Sequence, residues 1–174
     1  MKNIVKPALI LTAICLVMTL AVSGVNLLTA DTIAANEAKA AQESMNQLIP
    51  DVEFTAVKKD GLVCSEAYKA GDKGYIFVSS AIGYGGDVRV MTALDPEGKV
   101  IGIIVLACDD ETPGLGQNCK NDSFTDQFKG ASGSVELTKN GGEIVSITSA
   151  TYTSAAVKDS VNDALADYEV LKGR

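Results

Sequence analysis

The sequence predicts an α+β protein: one domain with a mostly antiparallel sheet and flanking helices, carried behind a single N-terminal transmembrane helix. Three observations predict it. Ala8 to Ala30 is a run of 23 residues without a charge. Short β-branched runs separated by turn residues fill the middle of the chain, and the last stretch repeats apolar residues at spacings of three and four. With 174 residues and 18.1 kDa there is room for one domain beside the helix.

Taken in order, the apolar run comes first. At about 1.5 Å per residue its length exceeds a hydrocarbon core of about 30 Å. Lys2 and Lys6 precede it and no acidic residue appears before Asp31, so the positive-inside rule keeps the N-terminus cytoplasmic and sends the rest of the chain outside. A cleaved signal peptide competes, with Ala21-Val22-Ser23 as a passable cleavage site. The run outlasts the roughly 7–15 residues of a usual signal core, which favours a retained anchor. Cys15 lies inside it and reads as a small apolar residue of the span. The expected organisation is a cytoplasmic start and anchor over 1–30, a juxtamembrane helix or stalk over 31–50, and an extracytoplasmic domain over 51–174.

Asp31 to Gln47 is rich in Ala, Glu and Lys, good helix formers, and Pro50 ends it. Val52–Val57, Tyr75–Ser80, Val88–Leu94 and Val100–Ala107 read as strands, with Asp95-Pro96-Glu97-Gly98 as the turn before the last. Ser123–Gly130 reads as a brief helix stopped by Gly130, and Ser134–Thr138 with Glu143–Thr148 as a second hairpin turning at Asn140-Gly141-Gly142. Val157, Val161, Ala164, Leu165, Tyr168 and Leu171 form one apolar stripe of a final helix, with Thr153 or Ser154 as its cap and Gly173 past its end.

Composition excludes whole classes of chemistry. The chain has no His and no Trp, so it contains no Ser-His-Asp or Cys-His catalytic pair and no imidazole metal site. Beyond residue 30 there are 13 basic against 22 acidic residues, a net charge of −9, which speaks against nucleic acid as a partner. Aromatic residues make up only 5%, too few for a base-stacking platform. Chemistry in such a chain must come from a bound cofactor or a partner protein.

Three stretches between the elements draw attention. Ile82-Gly83-Tyr84-Gly85-Gly86-Asp87 joins two strands; it is either a plain glycine-rich connection or a loop that lets a ligand reach the backbone. It is not G-x-G-x-x-G and no helix follows, so a Rossmann reading fails. Glu111-Thr112-Pro113-Gly114-Leu115-Gly116 centres on a type II turn and follows an apolar strand, with Leu115 between glycines. It is an ordinary turn, or a loop that lays backbone N–H groups and one aliphatic side chain against a flat ring. Thr148-Ser149-Ala150-Thr151-Tyr152-Thr153-Ser154 is a hydroxyl-rich approach to a helix, or an anion site, since a helix N-terminus offers unpaired N–H groups and about half a positive charge.

Together these motifs, behind one membrane helix, resemble the G component of the Rnf electron-transport complex and, more distantly, the C component of the sodium-translocating NADH:quinone reductase. Asp126-Gln127-Phe128-Lys129-Gly130 fits the same pattern, and the resemblance covers nearly the whole chain. It implies an FMN-binding domain whose flavin is joined through its phosphate to a threonine hydroxyl. Carried over, Thr148 takes the Ser/Thr position of the family motif, Ala150 the Ala, and Thr151 the attachment point. Val145 stands where the family has an acidic residue, Ser149 where it has Gly, and Asp109 or Asp110 where it has a histidine before the loop. Glu111, Thr112, Leu115 and Gly116 would line the ring, while Thr148, Ser149, Ala150, Thr153 and Ser154 would hold the phosphate end. Asp109, Asp110 and Glu111 add negative charge that would lower the flavin potential.

By this resemblance the chain is a membrane-anchored electron-transfer subunit, with covalent FMN, of a translocase. That complex couples ferredoxin:NAD electron transfer to Na+ or H+ translocation. The chain has no nicotinamide fingerprint and no active site of its own, and its partners are the other members of the complex and a flavin transferase. Two rivals remain: an FMN carrier of another respiratory or extracellular electron route, and a non-redox binding module on a membrane stalk. Cys108 and Cys119 bracket the Glu111–Gly116 loop, where a disulfide would clamp it in an oxidising exterior; with no C-x-x-C, an iron–sulfur cluster within this chain is excluded as a reading.

Overall fold

Uninterrupted apolar side chains followed by Ala-rich, helix-forming sequence give one helix, α1 (Lys2–Leu48), in the computed structural model, which describes residues 2–173. It is long and apolar enough to cross a membrane, with a mean hydropathy of 2.4 in its most apolar window. Its polar hydroxyls are satisfied within the helix: Thr12 and Thr29 each donate back to the carbonyl four residues earlier, Ala8 and Val25, at 2.9 Å. The chain falls into two units, Met1–Gln42 and Glu43–Arg174.

The second unit is built on an antiparallel meander in the order β1 (Phe54–Ala56), β2 (Glu66–Ala70), β3 (Gly74–Ile82), β4 (Asp87–Leu94) and β5 (Val100–Ala107). Short helical elements follow, a 3-10 turn at Gly116–Lys120, α2 (Asp122–Thr125) and 3-10 turns at Asp126–Phe128 and Thr138–Asn140, and the chain closes with α3 (Thr151–Lys172). The α+β class read from the sequence is the class observed. Register assigns the two faces of the sheet. Phe77, Val90, Leu94, Val100 and Ile103 share one face and join Val157, Val161, Ala164, Leu165 and Tyr168 of α3 in the main core. On the opposite face Ile76, Val78, Met91 and Ala93 are also buried. The last turn of α1 belongs to this unit: Met45 and Ile49 are buried, and Leu48 packs over Gly102, which shares the register of Ala93 and Ile76.

Two elements differ from the sequence expectation. Strand β2 (EAYKA) is absent from it because its residues favour helix or loop; pairing with β3 along five positions overrides that preference. The hairpin expected over 134–148 does not form. Only a single bridge joins Leu137 and Ile144, and Thr138–Asn140 is a 3-10 turn. Its inner backbone groups still bond to one another, with Thr138 N–H donating to the Ile144 carbonyl at 2.9 Å and Ile144 N–H to the Glu136 carbonyl at 3.2 Å, but those of Val135 and Val145 bond to side chains. Asn162 of α3 accepts from the Val135 N–H at 2.8 Å and donates to its carbonyl at 3.0 Å. Gln127 does the same for Val145, at 2.8 and 3.2 Å.

Polar residues of α3 also fasten the sheet. Ser79 donates to Asp163 at 2.7 Å, and the fully buried Asp167 accepts from the backbone N–H groups of Val63 and Cys64 at 2.9 and 2.7 Å. Gly173 closes the helix in the left-handed conformation expected for it. Replacing Asp167→Ala strands two N–H donors and is expected to cost about 2–3 kcal/mol, read as a lower urea midpoint for the purified chain in detergent.

Candidate functional site

Three connections that are far apart in sequence meet at one side chain. Glu111 follows β5, is 2% exposed, and directs one carboxylate oxygen at the β3–β4 loop, where the N–H groups of Tyr84 and Gly85 donate at 2.8 and 2.9 Å. Its other oxygen accepts from the Thr153 hydroxyl in the first turn of α3 at 2.5 Å. Burial pushes this carboxyl up, but the hydrogen bonds from Thr153 and from the N–H groups of Gly85, Tyr84 and Gly86 outweigh it, so the group is held below the ordinary glutamate value.

The glycines permit this convergence. A side chain on Gly116 would lie 2.5 Å from the Glu111 carboxylate and 2.9 Å from the Thr153 hydroxyl, and one on Gly85 would collide with the Asp110 carbonyl. The loop between them has the type II turn expected of Pro113-Gly114: Leu115 N–H donates to the Thr112 carbonyl at 3.1 Å, and Gly114 has φ +75°.

Beside this junction lies a cavity of about 470 Å³ whose walls include Leu115 and Gly114 on one side, Asn118, Phe124 and Gln127 below, and Val145 to Ser149 opposite. That volume is in the range of small-molecule sites, about 300–1,000 Å³. The wall at Ser149 leads into the start of α3. There the N-cap residue is Ala150, no side chain caps the helix, and the first turn holds no acidic residue. Thr151, the first helical residue, is half-buried. An uncapped N-terminus opening beside a cavity lined with aliphatic and amide side chains fits a flat ring system carrying a phosphate.

The expected site residues divide into two groups. Leu115, Thr148 and Ser149 line the cavity, Ala150 and Thr151 open the helix next to it, and Thr112 is exposed on the turn. Glu111, Gly116, Thr153 and Ser154 are buried behind that surface. Neither Thr153 nor Ser154 is the helix cap expected of it. Thr153 is committed to Glu111, while Ser154 donates to the Ala150 carbonyl and accepts from the Ile147 N–H, each at 2.9 Å. Asn118, Phe124 and Ile147 also line the cavity without having been singled out, and Val145, named only as a departure from the family motif, lines it too. Gln127 had a signal in the DQFKG pattern, and its role is now plain: it holds Val145 and with it the far wall.

Cys108 and Cys119 are fully buried and remain free thiols in contact with each other, not a disulfide; burial and the neighbouring Cys108 push the Cys119 thiol up to about 12. Among the described residues no cluster of ligating side chains suits a metal ion.

Comparison with known proteins converges on this region. The profile described as FMN-binding domain matches residues 83–166, which include every stretch named above, and that described as RnfG N-terminal region matches residues 1–48. The G component of the proton-translocating ferredoxin:NAD(+) oxidoreductase complex of Clostridium ljungdahlii is 31% identical over 170 residues, 94% of this chain and 90% of that protein. The chain belongs to the RnfG family. The G component of the ion-translocating oxidoreductase complex of Shewanella baltica is 30% identical, over 95% of this chain and 90% of its own length. Among solved structures, the C component of the Na(+)-translocating NADH-quinone reductase of Parabacteroides distasonis aligns with a TM-score of 0.47 and 23% identity over 75% of this chain and 64% of that one.

The place where the family resemblance has Gly carries a measurable strain here. Ser149 has φ +63° at the third position of the turn closed by the Ala150 N–H to the Ile147 carbonyl. Ser149→Gly is expected to stabilise the protein by about 1 kcal/mol, a rise in melting temperature of about 2–4 °C. Glu111 gives a pH signature. Its carboxyl lies lower in the folded than in the unfolded chain, where it titrates near about pH 4.3. The stability it contributes is therefore complete above that pH and lost as the pH falls through the native value. Glu111→Gln is expected to cost about 1–3 kcal/mol at neutral pH and to flatten the acid side of the stability curve below about pH 4.5 in pH-dependent melts.

Proposed function

We propose that this protein is the membrane-anchored electron-carrying subunit of an Rnf-type complex, an ion-translocating ferredoxin:NAD oxidoreductase, and that it carries FMN esterified through its phosphate to Thr151. The observation that carries the proposal is the cavity of about 470 Å³ whose lining reaches Ser149, two residues before Thr151 opens the uncapped helix α3. Bound FMN supplies reversible electron transfer; this chain supplies attachment, orientation and electrostatic setting.

In this reading Leu115 and Val145 provide aliphatic contact for the ring, and Thr112, Thr148, Ser149 and Ala150 border it. Glu111, Gly116, Thr153 and Ser154 act from behind, keeping the helix start and the 111–116 loop in register. The Thr151 hydroxyl is an acceptor of modification, not a catalytic nucleophile, and a flavin transferase makes the ester. Nicotinamide and ferredoxin bind on other members of the complex. Residues 1–30 form the cytoplasmic start and single-pass anchor in the cell membrane, 31–50 the juxtamembrane helix, and 51–174 the flavin domain on the extracytoplasmic side.

The test is direct. Protein made in its native host is expected to give a band that fluoresces under ultraviolet light after denaturing electrophoresis, and the peptide spanning Thr151 is expected to carry the added mass of a flavin nucleotide. Thr151→Ala should remove both without lowering the folding stability by more than about 1 kcal/mol, since the side chain is half-exposed. A fluorescent band that survives the substitution would place the attachment elsewhere.

A further inference from the structure

Large apolar side chains on the surface of the second unit are few, and three of the most exposed lie at the flavin end. Ile82 at the end of β3 is 82% exposed, Tyr84 in the β3–β4 loop 73%, and Tyr152, next to Thr151, 71%. The two tyrosine rings lie 6.4 Å apart, tilted by 37°, so the β3–β4 loop and the start of α3 present one continuous aromatic surface. None of the three side chains does work in the fold. The Tyr84 contact with Glu111 is made by its backbone N–H, and neither ring hydroxyl is buried. Exposed aromatic side chains clustered in this way are the composition of an interface centre, not of a solvated surface.

Charge identifies the occupant. The segments that build this end, residues 81–88, 108–118 and 143–157, contain Asp87, Asp109, Asp110, Glu111 and Glu143 and not one Lys or Arg. Lys120 reaches in from outside them to pair with Asp109 at 3.2 Å. An acidic rim repels an anionic lipid surface and repels a second copy of the same acidic face. It attracts a protein surface with an apolar centre and a basic rim.

We propose that Ile82, Tyr84 and Tyr152, within the rim formed by Asp87, Asp109 and Asp110, are the docking surface for a redox subunit of the same complex that presents a basic-rimmed apolar patch. The surface lies beside the proposed flavin attachment, so docking there brings the partner's redox centre to the flavin. This inference rests on the electron-carrier reading for its purpose, while the contact itself does not require the flavin.

The test uses the intact complex in membranes of its native host. A photo-reactive phenylalanine analogue in place of Ile82 is expected to cross-link to one identified protein of the complex. Cross-links confined to lipid or to a second copy of this chain overturn the proposal. In the same complex, the double variant Tyr84→Ser and Tyr152→Ser is expected to keep the wild-type flavin fluorescence while electron exchange, followed as flavin bleaching with reduced ferredoxin, slows by at least about tenfold. Wild-type exchange should also slow as ionic strength rises, and Asp87→Asn with Asp110→Asn should weaken that dependence. An unchanged rate in the tyrosine variant with full flavin content overturns the docking surface. If the wild-type chain carries no flavin yet the cross-link to that protein persists, the carrier reading falls and the interface stands.

Discussion

A carboxylate removed from water must have its lone pairs occupied, and the site end of this protein is arranged around that requirement at Glu111. No single element meets it. The β3–β4 loop contributes two backbone N–H groups, the start of α3 contributes the Thr153 hydroxyl, and Glu111 itself hangs from the end of β5. Each partner is useful only when the others are in place, because a half-satisfied buried carboxylate is worse than none. The three connections are thereby fixed as a set. The position of Thr153 sets the rotation of the first helical turn, and with it the direction in which Thr151 faces. The same requirement explains why Gly85 and Gly116 have no side chains: backbone must come within contact distance of the Asp110 carbonyl and the Glu111 carboxylate.

The electrostatic setting follows from the same arrangement. The second unit is strongly acidic, and Asp109 and Asp110 stand beside the junction. Glu111 does not add freely to that field, because N–H dipoles and a hydroxyl surround it. What remains positive is the start of α3, whose N-cap is an alanine and whose first turn carries no acidic side chain. An anion brought to this end therefore has one favourable place, the start of α3, which follows directly on the cavity lining at Ser149. A protein partner meets the opposite situation, an acidic rim around exposed tyrosines. On the proposed reading, one end of the fold would set a site for a small anion beside a surface for a basic macromolecule.

Much of this was legible in the sequence where local chemistry and tertiary contact agree. The apolar stripe of α3, the β-branched runs of β3 to β5 and the Pro113-Gly114 turn are each dictated by neighbouring residues, and each is found where expected. The failures have a common cause in partners distant along the chain. EAYKA becomes a strand only because β3 offers a ladder, and the expected hairpin after residue 134 loses the backbone groups of Val135 and Val145 to Asn162 and Gln127. The burial of Thr153 belongs to the same class: as a motif it looks like a cap residue, yet its hydroxyl is bonded to Glu111, 42 residues away, while Ser154 bonds locally to Ala150 and Ile147. Tyr84 and Tyr152 were passed over for the converse reason, since an exposed aromatic leaves no periodic signature.

The shape of the cavity bears on why the proposed ester at Thr151 would suit this protein. Its lining is drawn from loops and short side chains, with Thr148, Ser149 and Leu115 all open to solvent, and includes no Lys or Arg for a phosphate. Reversible binding of a flavin phosphate here would depend on a few N–H groups at one helix end, each worth about 1 kcal/mol against water, within a field that is otherwise negative. Such affinity would be too weak to retain a cofactor on the extracytoplasmic side proposed for this domain. Enclosing the ring more deeply would strengthen it, but it would also distance the ring from any partner docking at Tyr84 and Tyr152. The proposed covalent bond to the first helical residue would resolve that conflict: retention would no longer depend on enclosure, and the ring could stay near the surface.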